Sequence, residues 1–172
     1  HSYFNLTGDP NNSIDQHLLS IEADHFVPID ATHIPLEELA PVANTPFDFR
    51  QPVAVGSRMH IPHVQLKNGN GYDHCWVLRN VTGALQHAAT FYDPTTGRSV
   101  AVLTTEPGIQ VYSGNFLNGS TIGKGGIPYH QRHGLCLETE HFPDSPNRST
   151  FPSVVLEPGK TYTTTTVYAF ST

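Results

Sequence analysis

Short runs of β-branched and aromatic residues, separated by turn-forming residues, recur along this chain and constrain its fold more than any other feature. Runs of this length and composition are typical of β-strands. Eight of them are found, at positions 18–23, 75–78, 88–92, 100–104, 109–112, 135–139, 154–156 and 161–170. Fourteen glycines and fourteen prolines supply turns, and the Asp-Pro-Thr-Thr-Gly sequence at 93–97 predicts a hairpin. Short strands at this spacing predict an all-β antiparallel sandwich or barrel.

Helical signals are nearly missing from the sequence. Only Pro35–Leu39 is helix-like, and it predicts a single turn that starts at the proline. The 172 residues correspond to one domain or to part of a larger one, and 37% hydrophobic residues are enough to fill a core of that size. The sequence contains no internal repeat and no linker, which predicts one structural unit.

The charge of the chain narrows the classes of partner, and its two cysteines leave the redox state open. Nine basic against fifteen acidic residues give a net charge of -6, and no basic stripe is present. This pattern argues against a nucleic-acid or anionic-membrane surface and favours a small neutral partner. No apolar run is long enough to cross a bilayer. Cys75 and Cys136 are either buried thiols or one disulfide.

Compartment is indicated only weakly. Five Asn-x-Ser/Thr sequons occur, at Asn5, Asn12, Asn80, Asn118 and Asn147. We interpret them as chance products of a loop-rich composition, because the pattern is permissive. A cytoplasmic location is expected from the resemblance described below, and an exported form stays open.

Metal and nucleophile chemistry have little support in the sequence. The pairs His60/His63 and His130/His133 have a spacing that suits one metal on a helix, but both lie among Pro and Gly. No third ligand stands at a recognisable spacing, so no metal site is expected. His74 and Cys75 are adjacent, and neighbouring residues on a strand point to opposite faces, which argues against a Cys/His dyad.

Acid/base chemistry has better support. Alternation in the segment 135–140 places Leu135 and Leu137 on one face and Glu138 and Glu140 on the other, together with Cys136. The carboxylates therefore point away from the apolar core, into solvent or into a cleft. A second carboxylate, Asp73, stands among aromatic residues. Aromatic faces and carboxylates together are suited to binding a neutral polyol, whose C–H groups stack on rings and whose hydroxyls donate to carboxylate oxygens.

Five short segments resemble, in order, the signatures of the aldose 1-epimerase (galactose mutarotase) family. They are His-Ser-Tyr-Phe-Asn-Leu at 1–6, Phe-Asp-Phe-Arg at 47–50, Gly-Tyr-Asp-His-Cys at 71–75, Pro-Gly-Ile-Gln-Val-Tyr-Ser-Gly-Asn-Phe-Leu at 107–117 and Leu-Cys-Leu-Glu-Thr at 135–139. The resemblance implies a large antiparallel β-sandwich that interconverts the anomers of free aldohexoses such as galactose and glucose, without a cofactor.

The resemblance also implies residue roles. Glu138 matches the general base that takes the proton from the C1 hydroxyl, and His1 matches the general acid that protonates the ring oxygen. Asp73 matches a carboxylate that holds sugar hydroxyls. Gln110 matches an amide that orients the substrate, and Tyr3 lies just behind His1 in the same motif.

Family members are substantially longer than 172 residues. The resemblance therefore implies that residues 1–172 form the C-terminal part of a single mutarotase-like domain, with the N-terminal part absent from this chain and acting as a partner to it. Two other functions stay open: a carbohydrate-binding β-sandwich without catalysis, and an epimerase of a hexose 6-phosphate. The second needs a cationic phosphate clamp, and the arginines do not cluster in the sequence.

Overall fold

The computed structural model describes residues 1–79 and 82–172, so the Asn80 sequon lies outside the described residues. Within these ranges the secondary structure is almost entirely strand. The strands are β1 (Tyr3–Phe4), β2 (Leu18–Ile21), β3 (Ala23–Val27), β4 (Ala40–Pro41), β5 (Val53–Ala54), β6 (Asp73–Leu78), β7 (Gln86–Tyr92), β8 (Ser99–Thr104), β9 (Gly108–Tyr112), β10 (Asn118–Ile122), β11 (Pro128–His130), β12 (Leu135–Glu140) and β13 (Thr166–Ser171). The helices are α1 (Val64–Gly69) and three 3₁₀ turns at Val55–Arg58, Lys124–Gly126 and Ser145–Asn147.

Two antiparallel sheets contain most of these strands. The first has six strands in the order β1-β12-β9-β6-β3-β4, and the second has five in the order β13-β8-β7-β2-β5. The hairpin of β10 and β11 forms a separate two-stranded sheet among the described residues. The all-β antiparallel sandwich predicted from the sequence is therefore confirmed.

One apolar core joins the two sheets. From the six-stranded sheet it takes Phe26, Trp76, Ile109 and Leu137, and from the five-stranded sheet Leu19, Phe91, Val100 and Val102, all buried in a single cluster. Rings dominate its centre, where Phe26 and Phe47 stack with centroids 4.3 Å apart. The buried indole N–H of Trp76 has a partner in this core, because Nε1 donates to the Phe47 carbonyl at 3.0 Å. Each sheet thus has one face in this core, and a smaller buried cluster of Val27, Cys75, Phe142 and Phe151 covers part of the other face of the six-stranded sheet.

The strand predictions are mostly confirmed, with one informative difference. The run 18–23 is two strands, because the chain passes from the five-stranded to the six-stranded sheet at Glu22. The hairpin between β7 and β8 is present as predicted. Gly97 closes it with a positive φ of 77°, and its N–H donates to the Asp93 carbonyl at 2.9 Å.

Two sequence predictions of regular structure are wrong. Residues 154–156 form no strand, because no described strand lies beside them and Pro152 and Pro158 flank the segment without N–H donors. The run 161–170 is a strand only from Thr166 onward. Pro35–Leu39 forms no helical turn, because Pro35 bridges to Ile29 and the Leu36 N–H donates to the Pro28 carbonyl at 2.7 Å. Backbone pairing with Pro28 and Ile29, just after β3, holds the start of this segment in an extended conformation.

The helix α1 was not predicted. The side chain of His63 accepts a hydrogen bond from the Gln65 N–H at its N-terminus, and Asn70 ends it in the left-handed conformation with φ 54°. Six residues are too few to give a helical period, so only the Asn-Gly pair after it could have indicated a helix end. No helix in residues 1–79 and 82–172 is long and apolar enough to span a membrane.

Candidate active site

The outer face of the six-stranded sheet carries the candidate site. Strand register places two rows of side chains across it: Tyr3, Cys136, Tyr112 and Asp73 in one row, and Glu138, Gln110 and Cys75 in the next. Residues two apart on a strand share a face, so both rows point the same way. The intervening residues, such as Leu137 and Val111, point into the core. The alternation predicted for β12 is confirmed.

An open depression of about 470 Å³ lies on this face. Its walls contain all five site residues predicted from the sequence, although four come from four different strands and the fifth, His1, lies two residues before β1. The lining residues are His1, Tyr3, Asp73, Gln110, Tyr112, Phe116, Glu138, Glu140 and Pro143. Sequence reasoning did not assign a site role to Tyr112, Phe116, Glu140 or Pro143.

Glu138 and His1 form the most polar part of the depression. The His1 Nδ1 atom lies 3.0 Å from Glu138 Oε1. The Glu138 side chain is 14% exposed, whereas the His1 side chain is 90% exposed. The carboxylate is therefore held by the sheet, and the imidazole is free to move away from it.

Asp73 and Gln110 form a second polar pair on neighbouring strands. Gln110 Nε2 donates to Asp73 Oδ1 at 2.8 Å. Burial raises the pKa of Asp73, and the hydrogen bond from Gln110 opposes that effect. The other amide atom, Gln110 Oε1, is buried, and no described residue donates to it. This carbonyl oxygen is an acceptor that a ligand hydroxyl could satisfy.

The backbone of Asp73 is fixed from the core side by His74. Burial lowers the pKa of His74 to about 3, so its ring is neutral. Its Nδ1 accepts from the Asp73 N–H at 3.1 Å, which leaves the proton on Nε2 to be donated to Gln65 Oε1 at 3.2 Å. Gln65 in turn bonds both backbone polar groups of Ile29. The adjacent Cys75 points to the opposite face, as its neighbouring position predicts.

Aromatic rings form one side of the depression. Tyr3 and Tyr112 meet edge to face with centroids 6.1 Å apart, and Tyr112 stacks on Phe116 at 6.4 Å. The Tyr112 hydroxyl accepts from the Phe116 N–H at 2.9 Å. Burial, with the nearby Cys136, raises the pKa of Tyr3 to about 12, so its hydroxyl keeps its proton at neutral pH. Faces of this kind suit the C–H groups of a sugar ring.

Neither cysteine is part of a disulfide, and both are buried. Burial raises the pKa of Cys136 to about 12 and that of Cys75 well above its ordinary value. Both are therefore thiols, which is one of the two alternatives left by the sequence. Among residues 1–79 and 82–172, no group of three or more His, Cys, Asp or Glu side chains is arranged to hold a metal ion.

The chain is similar to proteins of a known family. A family model described as "Aldose 1-epimerase" matches residues 1–169. This chain belongs to the aldose 1-epimerase family. Galactose mutarotase of Homo sapiens is 43% identical over 171 residues, covering 99% of this chain and 48% of that protein. Aldose 1-epimerase of Escherichia coli K12 is 39% identical over 172 residues, covering 99% of this chain and 49% of that protein.

Solved structures of similar proteins have the same fold as this aldose 1-epimerase family member. The GalM/aldose epimerase homologue from C. elegans superposes with a TM-score of 0.85 at 29% identity, covering 99% of this chain and 50% of that chain. Galactose 1-epimerase from Lactobacillus acidophilus has a TM-score of 0.69 at 24% identity and supports the fold alone. The chain spans about half the length of the curated relatives it matches.

Proposed function

We propose that this protein is an aldose 1-epimerase that interconverts the α and β anomers of free aldohexoses such as galactose and glucose. The observation that carries the proposal is the placement of Glu138 and His1 beside the Asp73–Gln110 pair in one depression. Ring opening needs one group that removes a proton and one that supplies a proton. Family membership and the names of the relatives support the same reaction.

The first step is ring opening. Glu138 takes the proton of the C1 hydroxyl, and the electron pair of that O–H bond forms the carbonyl as the bond between C1 and the ring oxygen breaks. The ring oxygen takes a proton from the His1 imidazolium and becomes the C5 hydroxyl. Asp73 and Gln110 hold the sugar hydroxyls during this step, because a carboxylate and an amide oxygen both accept from O–H groups.

The second step is reclosure. Rotation about the C1–C2 bond exposes the other face of the aldehyde, and the C5 hydroxyl attacks it. That hydroxyl returns its proton to His1, and Glu138 returns its proton to the C1 oxygen. Protons and electrons balance over the cycle, and no bond between sugar and protein forms.

The contact between His1 and Glu138 has to open for this reaction. At 3.0 Å the two groups touch each other, so a sugar ring that contacts both has to separate them. The high exposure of the His1 side chain permits this movement, while the strand pairing of β12 with β9 keeps Glu138 in place.

Charge in the depression favours a free sugar over a phosphorylated one. No lysine or arginine is among the described residues that line it. A phosphate group is normally held by such cations. A hexose 6-phosphate is therefore the weaker substrate candidate.

We propose in addition that another polypeptide segment covers part of this chain. Apolar side chains are exposed along its last twenty residues, including Val155, Leu156, Tyr162 and Phe170. Contiguous exposed apolar surface normally marks a contact, and the curated relatives are about twice as long as this chain. Co-expression with a polypeptide that matches the other half of the human relative should yield a complex on gel filtration, and separate elution would reject the idea.

The experiment for the main proposal is anomer exchange of freshly dissolved α-D-galactose, followed by polarimetry or NMR above the spontaneous rate. Glu138→Gln should lower kcat by roughly 10²–10⁴-fold, because the amide has no basic oxygen. Glu157→Gln is the matched control, since Glu157 is exposed and lies outside the depression, and it should leave the rate unchanged. Equal rates for the unaltered protein and Glu138→Gln would reject the proposal.

A further inference from the structure

A second carboxylate, Glu140, lies next to the proposed base. It is two residues beyond Glu138 on β12, about 7 Å along the strand, and it points to the same face. Both side chains line the depression. The proposed reaction gives Glu140 no task.

The surroundings of Glu140 differ from those of the other carboxylates. Among the described residues no donor forms a hydrogen bond to its side chain, whereas Glu138 contacts His1. Glu106, in the loop between β8 and β9, accepts from His141 Nδ1 at 2.6 Å and from the Tyr162 hydroxyl. Glu140 is thus the carboxylate of this region that lacks a compensating partner.

The groups that face Glu140 disfavour its charge. Across β9 its register partner is Gly108, which has no side chain. The next strand, β6, contributes the buried neutral thiol of Cys75. Burial first, and then the charges of Glu138 and Glu106, raise the pKa of Glu140 to about 7, against an opposing effect of the His1 amino group. A sizeable fraction of this side chain is therefore a neutral carboxylic acid near neutral pH.

A neutral carboxyl is a hydrogen-bond donor, and among the described lining residues β12 offers the depression no other side-chain donor. The other strands and the N-terminal segment supply the donors His1, Tyr3 and Tyr112, and the acceptors are the carboxylates of Glu138 and Asp73 and the unpartnered Gln110 Oε1. The Gln110 amide N–H group is already directed at Asp73. A sugar hydroxyl or ring oxygen that faces β12 needs a donor to satisfy its lone pairs.

We propose that Glu140, as a neutral carboxylic acid, donates a hydrogen bond to an oxygen of the sugar bound beside Glu138. This inference rests on the proposed function only in that the depression binds sugar. The donor is lost when Glu140 ionises, and an anion at this position then faces the sugar oxygen with its own lone pairs. Sugar affinity should therefore fall on the alkaline side of neutrality.

The test is the affinity for galactose, measured by isothermal titration calorimetry between pH 6.5 and 8.5. If only the neutral form of Glu140 binds, the affinity of the unaltered protein falls roughly 20-fold over this range. Glu140→Gln should remove this dependence, because its amide donates at every pH. Glu140→Asp keeps a titrating group and should keep a pH dependence, and the control Glu157→Gln should behave as the unaltered protein.

Three results would overturn the inference. They are a flat affinity profile in the unaltered protein, an unchanged profile in Glu140→Gln, and no galactose binding at any pH. An unchanged profile would point to His1, whose imidazole both proteins retain. Failure of the proposed function has a different signature, since galactose would then bind with the expected pH dependence while anomer exchange stayed at the spontaneous rate.

Discussion

Asn115 ties together the loop that carries Phe116 into the depression, and its removal should destabilise the fold measurably. The side chain is 3% exposed. Its Nδ2 donates to the carbonyls of Gly69 at 2.6 Å and Tyr72 at 2.9 Å. Its Oδ1 accepts from Ser113 Oγ at 2.6 Å and from the Arg132 guanidinium. One side chain thus joins the end of α1, the residue before β6 and the loops after β9 and β11.

The expected cost of Asn115→Ala follows from what each partner retains. The Tyr72 carbonyl still accepts from Ser113, and Arg132 still donates to the Ser113 carbonyl at 2.9 Å. The Gly69 carbonyl has no other hydrogen bond from a described residue. The one uncompensated bond, to Gly69, contributes about 1 kcal/mol, and about 1–2 kcal/mol for the buried carbonyl left without a donor gives a loss of about 2–3 kcal/mol in the free energy of unfolding.

Urea denaturation followed by the fluorescence of Trp76, the one tryptophan of the chain, measures this loss. Asn118→Ala is the control, because Asn118 is exposed and, among the described residues, its side chain accepts from the Ser120 N–H alone. Asn115→Asp keeps the acceptor but removes both donations, so it should also destabilise. A difference below about 1 kcal/mol between Asn115→Ala and the control would refute the reasoning.

Three further predictions concern the core, acid stability and sugar binding. Leu137→Ala should lower the free energy of unfolding by about 2–5 kcal/mol, as measured by urea denaturation, because Leu137 is fully buried between the sheets. Burial alone would raise the pKa of Glu106, but hydrogen bonds from Thr164, Tyr162 and His141 outweigh it and hold the pKa below 4.5. This lowered pKa stabilises the folded protein above pH 4.5, and the stabilisation is lost as the pH falls through the pKa of Glu106 in the folded state. Glu106→Gln should therefore make the free energy of unfolding less dependent on pH in the acid range. Asp73→Asn should weaken galactose binding about tenfold in calorimetry at pH 7, because it removes a charged acceptor.

Local patterns in the sequence predicted the faces of the strands well. Alternation in 135–140 separates Leu137, in the core, from Glu138, in the depression, and both placements are observed. The reason is that side-chain direction on a strand depends only on the parity of the position. The roles assigned to the five site residues stay predictions, but their assembly in one depression is a finding.

Strand partners could not be read from the same patterns. That Glu138 lies beside Gln110, and Gln110 beside Cys75, follows from pairings between residues far apart in the chain. The raised pKa of Glu140 likewise depends on burial first, and then on Glu138 and on Glu106, which is in a different part of the sequence. Wrong predictions at Pro35–Leu39 and 154–156 have the same origin, because long-range pairing, or its absence, decided the local structure there.

The shared register of β6, β9 and β12 gives the molecule an uneven tolerance to sequence change. A substitution at an outward position such as Gln110 alters the depression and leaves the core side of the same strand untouched. A single-residue insertion within β9 would instead turn every later side chain of that strand over, sending Gln110 toward the core and Val111 toward the depression. Exchange of residues can therefore adapt the chemistry stepwise, whereas changes in strand length would remove the site and the fold in one event.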